Sequence, residues 1–294
     1  MIPKLPPPST LGSGETPEAI LAAILAEDPV LRGLPRIIAY TISLPHRALR
    51  PGEAWIKDFG HFAFVVEPLR QFFHGEMTGE QHGVPFGPRA RLLLAYFLME
   101  SVDSPQLEVD RGGISANRWF ENMGLSIGGK TYTALREQEQ RVSTSRFMTT
   151  FRAQGYQGAT WDDLYVSGMR GDISRGRAFA QQQRNMVRLS RPLFGELQRH
   201  PTRIPVEALA RLSNQSLGLD IYLWLAFRLP LLTADEWLCW DDLFRCFGTS
   251  YKYPRHFQPR FLEKLERVLE VYTGARVALA DGGLWLRPSP PPQG

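Results

Sequence analysis

Ser213–Pro288 reads SNQSLGLDIYLWLAFRLPLLTADEWLCWDDLFRCFGTSYKYPRHFQPRFLEKLERVLEVYTGARVALADGGLWLRP, and its order of segments decides the fold. Leu217–Leu229 is apolar almost all round, which predicts a buried helix rather than a surface one. Trp240–Phe247 reads as a short helix closed by Gly248. From His256 to Tyr272, the residues Phe257, Phe261, Leu265, Val268 and Tyr272 form one apolar stripe at helical spacing, with charges on the other faces. Arg276–Leu286 then sets Asp281-Gly282-Gly283 between two apolar runs, a hairpin signal. Buried helix, short helix, charged amphipathic helix and hairpin is the order of a winged helix-turn-helix, which predicts nucleic-acid binding from connectivity alone.

An earlier block repeats that order. Pro88–Val102 is apolar nearly all round, Ser115–Met123 opens on an N-capping serine, and Lys130–Val142 carries Tyr132, Leu135 and Val142 inward. Ser145–Arg152 switches to strand-favouring residues, and Met186–Leu197 alternates as a returning strand. Gly155–Arg184 between them is rich in glycine, glutamine and arginine and is expected to form a long wing or loop. The resulting expectation is an α+β, mainly helical chain with tandem winged helix-turn-helix domains and β-hairpin wings. The boundaries are a disordered tail at 1–16, a lead-in helix and irregular segment at 17–60, a first winged-helix domain at 61–200 and a second at 201–288, then a tail at 289–294. Within the lead-in, Thr16–Ala26 reads as a short helix, and Leu34–Pro85 as packed but irregular.

Charge is distributed unevenly along the 294 residues. The whole chain carries +4, but residues 128–191 alone carry +6, against −3 for 1–127 and +1 for 192–294. Of 34 basic residues only five are lysine. Arginine binds phosphate and guanine edges with two parallel hydrogen bonds, so the bias suits a nucleic-acid partner. With 43% hydrophobic residues, no eighteen-residue apolar run and no apolar core near the N-terminus, the chain is expected to be globular and cytoplasmic, away from membranes. Cys239 and Cys246 have no neighbouring Cys or His motif, so neither a disulfide scaffold nor a zinc site is expected.

Catalytic motifs are sparse. Gly124–Thr131 (GLSIGGKT) matches the phosphate-loop string GxxxxGK[ST], but the preceding RWFENM reads as an amphipathic helix rather than the buried strand that loop requires. A nucleotide triphosphatase using this string is therefore the minor alternative. The turn reading puts Lys130 and Thr131 at a helix N-terminus, where phosphate is favoured. The six histidines never pair as HxH, and strings such as GxSxG, HExxH and GxGxxG do not occur. Asp162-Asp163 and Asp241-Asp242 read as helix N-terminal charges. No enzymatic activity and no cofactor or metal are expected.

The candidate DNA-binding residues lie on the last helix of each block: Lys130, Thr131, Thr133, Arg136, Gln140 and Arg141, then Lys252, Arg255, Arg260, Lys264 and Arg267. Helices in this position enter the major groove, with N-terminal side chains at base edges and flanking cations at phosphates. Arg170, Arg175, Arg177 and Arg184 in the glycine-rich loop are candidates for phosphate or minor-groove contact.

Several of these stretches resemble the RepA-type plasmid replication initiators, the family of plasmid-encoded RepA proteins. The resemblance rests on Phe86-Gly87-Pro88-Arg89, on Gly128-Gly129 followed by Leu135-Arg136-Glu137-Gln138 and Arg141, and on Leu219–Leu225 with Arg228. Trp240, Phe247-Gly248 and Gly283-Leu284 complete it. It implies a cytoplasmic tandem winged-helix protein that binds repeated double-stranded DNA sites at a plasmid origin. It also implies recruitment of the host initiator and replicative helicase, and a homodimer that dissociates to bind. A winged-helix transcriptional repressor is the alternative of the same fold.

Overall fold

The computed structural model describes residues 16–69, 72–73, 76–77, 82–103, 108–110, 125, 128–153, 156–162, 165–168, 186–189, 191–199 and 202–293. In chain order the first elements are α1 (Pro17–Glu27), α2 (Arg36–Ser43), β1 (Trp55–Asp58), β2 (Phe62–Pro68), β3 (Phe72–Phe73) and β4 (Glu76–Met77). The middle holds α3 (Gly87–Asp103), β5 (Glu108–Asp110), α4 (Gly129–Ser143), β6 (Ser145–Ala153), β7 (Tyr156–Asp162), β8 (Tyr165–Gly168), β9 (Met186–Leu189) and α5 (Arg191–Arg199). The last third holds α6 (Val206–Leu212), α7 (Ser216–Arg228), β10 (Glu236–Cys239), α8 (Trp240–Phe247), α9 (Pro254–Val271), β11 (Arg276–Ala280) and β12 (Gly283–Arg287). The fold is mixed α+β with small antiparallel sheets.

Helix starts follow from local chemistry. Thr16 accepts a hydrogen bond from the Ala19 amide at 3.3 Å, with Pro17 at the first helical position, so α1 begins where a capped helix should. Asp241 and Asp242 fill the first turn of α8, where carboxylates favour the positive helix end. α7 is buried along its length and forms the centre of the molecule, with α2, α3, α6 and α9 packed on it. Trp224 donates from Nε1 to the Val30 carbonyl at 3.0 Å, and its ring meets Phe247 at 5.2 Å.

The C-terminal hairpin forms as expected, with Gly282 at φ 81°, and β10 joins it to give the strand order β10-β12-β11. Sequence reading left β10 out. A Cβ on Gly283 would collide with the Leu238 carbonyl of that strand, so the second glycine of the turn is required by β10 rather than by the turn itself.

The first block departs from its expected layout. β6 does follow α4 directly, but it pairs with β2 and β7 in a four-stranded sheet, β1-β2-β6-β7, and is not a wing strand. The strands that match the C-terminal hairpin are β8 and β9, which join β5 in the order β5-β9-β8. Both three-stranded sheets thus share one pairing rule: the strand before the helices pairs with the last strand, which pairs with the middle one. The Gly155–Arg184 loop reading is corrected over Tyr156–Asp162 and Tyr165–Gly168, which are strands. Asp162, expected at a helix start, lies in β7. The returning strand ends at Leu189, and the helix α5 replaces its second half, since Pro192 fits a first helical turn and disfavours a strand interior. Ser115–Met123 and residues 169–185 lie outside the described residues.

The lead-in holds the expected helix and is packed as expected, but over Arg36–Ser43, Trp55–Asp58 and Phe62–Pro68 it is regular helix and strand rather than irregular. α2 is buried over Ile37–Ser43, and Tyr40 shares a 2.6 Å hydrogen bond with Thr149 of β6 while its ring meets Phe64 and Phe147. The apolar core is one cluster from Ile20 to Leu286. The start of the expected C-terminal tail is docked: the Ser289 amide donates to the Leu229 carbonyl at 3.3 Å, and Tyr272 donates its hydroxyl proton to the Pro290 carbonyl at 2.6 Å.

Candidate nucleic-acid interface

α9 starts at Pro254 behind Tyr253, an extended cap residue that supplies no side-chain hydrogen bond. Pro254 has no amide proton, and the His256 and Phe257 amides donate to the Tyr253 carbonyl at 3.0 and 3.4 Å, so the Arg255 amide is the first-turn donor left for an external acceptor. Lys252, Tyr253, Arg255, His256 and Arg260 are all exposed around this end. The Tyr253 ring, 42% exposed, carries the Lys252 ammonium at 5.3 Å and the Arg255 guanidinium at 5.0 Å. His256 meets it edge-on at 5.7 Å. These cation–π contacts hold two cations close to a helix end that itself favours anions. Tyr253 and His256 were not among the sequence candidates; the usable signal was the aromatic set among cations in Lys252–His256.

Farther along α9 the apolar stripe falls where the spacing put it, with Phe257, Phe261, Leu265 and Val268 buried. Outside it, Glu263 sits among three of the candidate cations: Arg260 at 2.9 Å, Lys264 at 2.9 Å and Arg267 at 3.4 Å. Hydrogen bonds from Lys264 and then Arg260 hold its carboxyl down to about 2. Arg260 and Arg267 remain more than half exposed despite the pairing. An external phosphate would therefore compete with one internal carboxylate for this part of the helix.

In the first block, α4 begins at Gly129 after an extended Gly128, again with no side-chain cap. Lys130, Thr133 and Arg136 are exposed and Thr131 is half-buried. Thr133 turns its hydroxyl back to the Gly129 carbonyl at 3.0 Å. Gln140 and Arg141 do not join the others on the surface. Gln140 bonds His82, and Arg141 pairs with Glu137 at 2.9 Å, donates to the Val84 carbonyl at 3.2 Å and lies 5.0 Å from the Phe86 ring centre. With its side chain 15% exposed, Arg141 clamps α4 to the segment entering α3. Arg170, Arg175, Arg177 and Arg184 lie outside the described residues. Of the GLSIGGKT string, Gly124, Ser126 and Ile127 also lie outside the described residues, while Gly129, Lys130 and Thr131 start α4.

The most buried charge cluster lies between the two blocks. Arg91 of α3 is fully buried and gives Nε to Asp220 Oδ1 at 2.5 Å and Nη2 to Oδ2 at 3.0 Å. Its remaining protons go to the carbonyls of Leu44 (2.8 Å), Gly87 (3.0 Å) and Pro45 (3.3 Å), so every donor is used. His46 Nε2 lies 2.9 Å from Asp220 Oδ2. Nearby, Arg89 reaches the Ser213 carbonyl and Asn214 Oδ1 at 3.2 and 3.1 Å. The charged residues Arg91 and Asp220 inside otherwise apolar helices were the signal for this cluster.

Among the described residues no group of three or more His, Cys, Asp or Glu side chains could hold a metal ion, and no helix is long and apolar enough to cross a membrane. Both cysteines are free, and burial pushes the Cys246 thiol well up.

The family model of plasmid-encoded RepA proteins matches residues 84–242, more than half of the chain. The chain belongs to the family of plasmid-encoded RepA proteins. Among solved structures it is similar to domains 2 and 3 of RctB, as selenomethionine derivatives, with a TM-score of 0.56 at 11% identity over 86% of this chain and 97% of that one. A second RctB structure, residues 155–483, gives 0.51 at 10% identity over 85% and 94%. At these identities the likeness is one of fold. Comparison with curated proteins gives no match. The matched RepA segment contains the Phe86–Arg141 clamp, Arg89 on Ser213, and the Arg91–Asp220 pair. The matched segment therefore contains the contacts of Arg89 and Arg91 that join the two blocks, whereas all of α9 lies beyond it.

Proposed function

We propose that this RepA protein initiates plasmid replication by binding repeated duplex sites at the origin through two winged-helix heads, without catalytic activity of its own. The observation that carries the reading is the repeated arrangement. In each block a strand, a polar helix and two later strands pair in the same order, β5-β9-β8 and β10-β12-β11. In each, exposed cations lie at the start or along the first two turns of a polar helix whose cap residue gives no side-chain hydrogen bond: Lys130 and Arg136 on α4, Lys252, Arg255 and Arg260 at α9. A helix so placed reads major-groove base edges, and flanking cations grip phosphate. Membership of the RepA family supports the initiator role, and recruitment of host initiator and helicase and a dissociating homodimer belong to the same reading.

A plasmid bearing only this gene and its flanking DNA tests it. Autonomous replication, with protection of tandem repeats in that DNA by the purified protein, is the expected result. Protection of a promoter without replication would instead make the chain a repressor, and no protection would refute the reading.

A further inference from the structure

Lys57 belongs to β1, yet its Nζ donates to Thr249 Oγ1 in the tight turn between α8 and α9. Only 6% of the residue is exposed, and among the described residues it forms no ion pair. The Phe59 ring lies 5.8 Å from its ammonium and also 5.8 Å from the Arg245 guanidinium of α8. Arg245 in turn pairs with Asp28 at 3.0 Å, so the lead-in touches the short helix and the turn at neighbouring points. The other ionisable groups facing Lys57 are Cys246 and Asp220, and burial pulls its ammonium below the ordinary lysine range.

An ammonium buried against a neutral hydroxyl is costly, and an apolar side chain of the same length would pack more favourably there. What the lysine supplies is direction: one donor aimed at one atom of the turn. Three residues past Thr249 the exposed cluster Lys252-Tyr253-Arg255-His256 begins, and the turn is closed by the Tyr251 amide on the Gly248 carbonyl at 2.8 Å. We infer that Lys57 is a positioning residue, fixing from the first sheet the turn that aims the start of α9 at DNA. The inference rests on the reading of α9 as a DNA-reading helix. It makes the lead-in part of the recognition machinery of the C-terminal head, although it touches no DNA.

The test is K57M in the full chain, with duplexes selected by the wild-type protein from a random pool as probe. Melting temperature should hold or rise, amide exchange over 248–256 should quicken, and affinity for the selected duplex should fall about tenfold. The salt dependence of binding should not change, since Lys57 touches no phosphate. T249V should behave alike, and the K57M/T249V double variant should be no worse than either, because both break one bond. Unchanged exchange and affinity in K57M would overturn the inference. So would additive losses, or a fall in affinity matched by a fall in melting temperature, the mark of a merely structural residue. Failure of the wild-type chain to select any sequence would instead overturn the DNA reading, and the inference with it.

Discussion

Glu263→Gln should make this protein bind DNA more tightly and less selectively. In the native helix the carboxylate lies 2.9 Å from Arg260, 2.9 Å from Lys264 and 3.4 Å from Arg267. The amide keeps the shape and one acceptor but removes the charge, so a net +2 cluster becomes +3 and one cation is released to phosphate. Each added phosphate contact steepens the dependence of log K on log salt by about 0.9. Between about 50 and 200 mM salt the variant should lose a further three- to fourfold in affinity relative to wild type, starting from tighter binding at the low end. Anisotropy titrations with an unselected 20-base-pair duplex and with a selected one measure both slopes. The ratio of selected to unselected affinity should fall, because the added contact reads no base. The carboxyl is held down to about 2, so the pairing exists above its ordinary value and is lost only as pH falls through about 2. The difference in slope between wild type and Glu263→Gln should therefore be the same at pH 7 and pH 5. A Glu263→Gln slope indistinguishable from wild type would refute the idea that this face meets phosphate.

Asp220→Asn leaves Arg91 buried with its charge unpaired, which should cost about 3–5 kcal/mol in urea unfolding and lower the melting point by roughly 6–15 °C. The Arg91→Met/Asp220→Leu double variant should regain much of that stability, and a double variant weaker than Asp220→Asn would contradict the assignment. Lys130→Ala should flatten the salt slope by about one phosphate contact, while Arg141→Ala should lose about 1–3 kcal/mol of folding stability with the slope unchanged. The opposite pattern would exchange their roles. Burial lowers the Lys57 pKa in the folded chain, so the unfolded chain binds the more protons between that lowered value and 10.5. The stability of wild type relative to K57M should accordingly rise with pH through this window, as measured by urea unfolding at stepped pH; a flat or falling difference would place Lys57 in water.

How much of this was legible depended on the range of the interaction. The stripe Phe257–Val268, the Asp281-Gly282 turn and the helix at Thr16–Ala26 are local, and sequence spacing located all three, although the capping role of Thr16 came from the structure. β6 was recognisable as a strand, but nothing near Ser145 says that its partners are Phe62–Pro68 and Tyr156–Asp162 rather than a wing. Pairing is a property of distant residues, so the first sheet and the role of the lead-in stayed hidden. Gln140 and Arg141 lie on a face that helical periodicity calls polar, and only the arrival of His82, Val84 and Phe86 turns that face inward. Tyr253 was passed over because exposed aromatics look like core residues in a sequence. Its cations reveal it only once the start of α9 is placed.

The buried Arg91–Asp220 pair also constrains how such proteins can diversify. Arg91 lies in the first block and Asp220 in the second, so a crossover between them could join halves that lack each other's partner. A recombinant gene acquiring a new C-terminal block would inherit a stranded buried charge unless the donor carries the matching acid. On the proposed reading of α9, replication specificity should therefore change by substitutions on that helix, or by exchange of whole genes, more readily than by exchange of the C-terminal block.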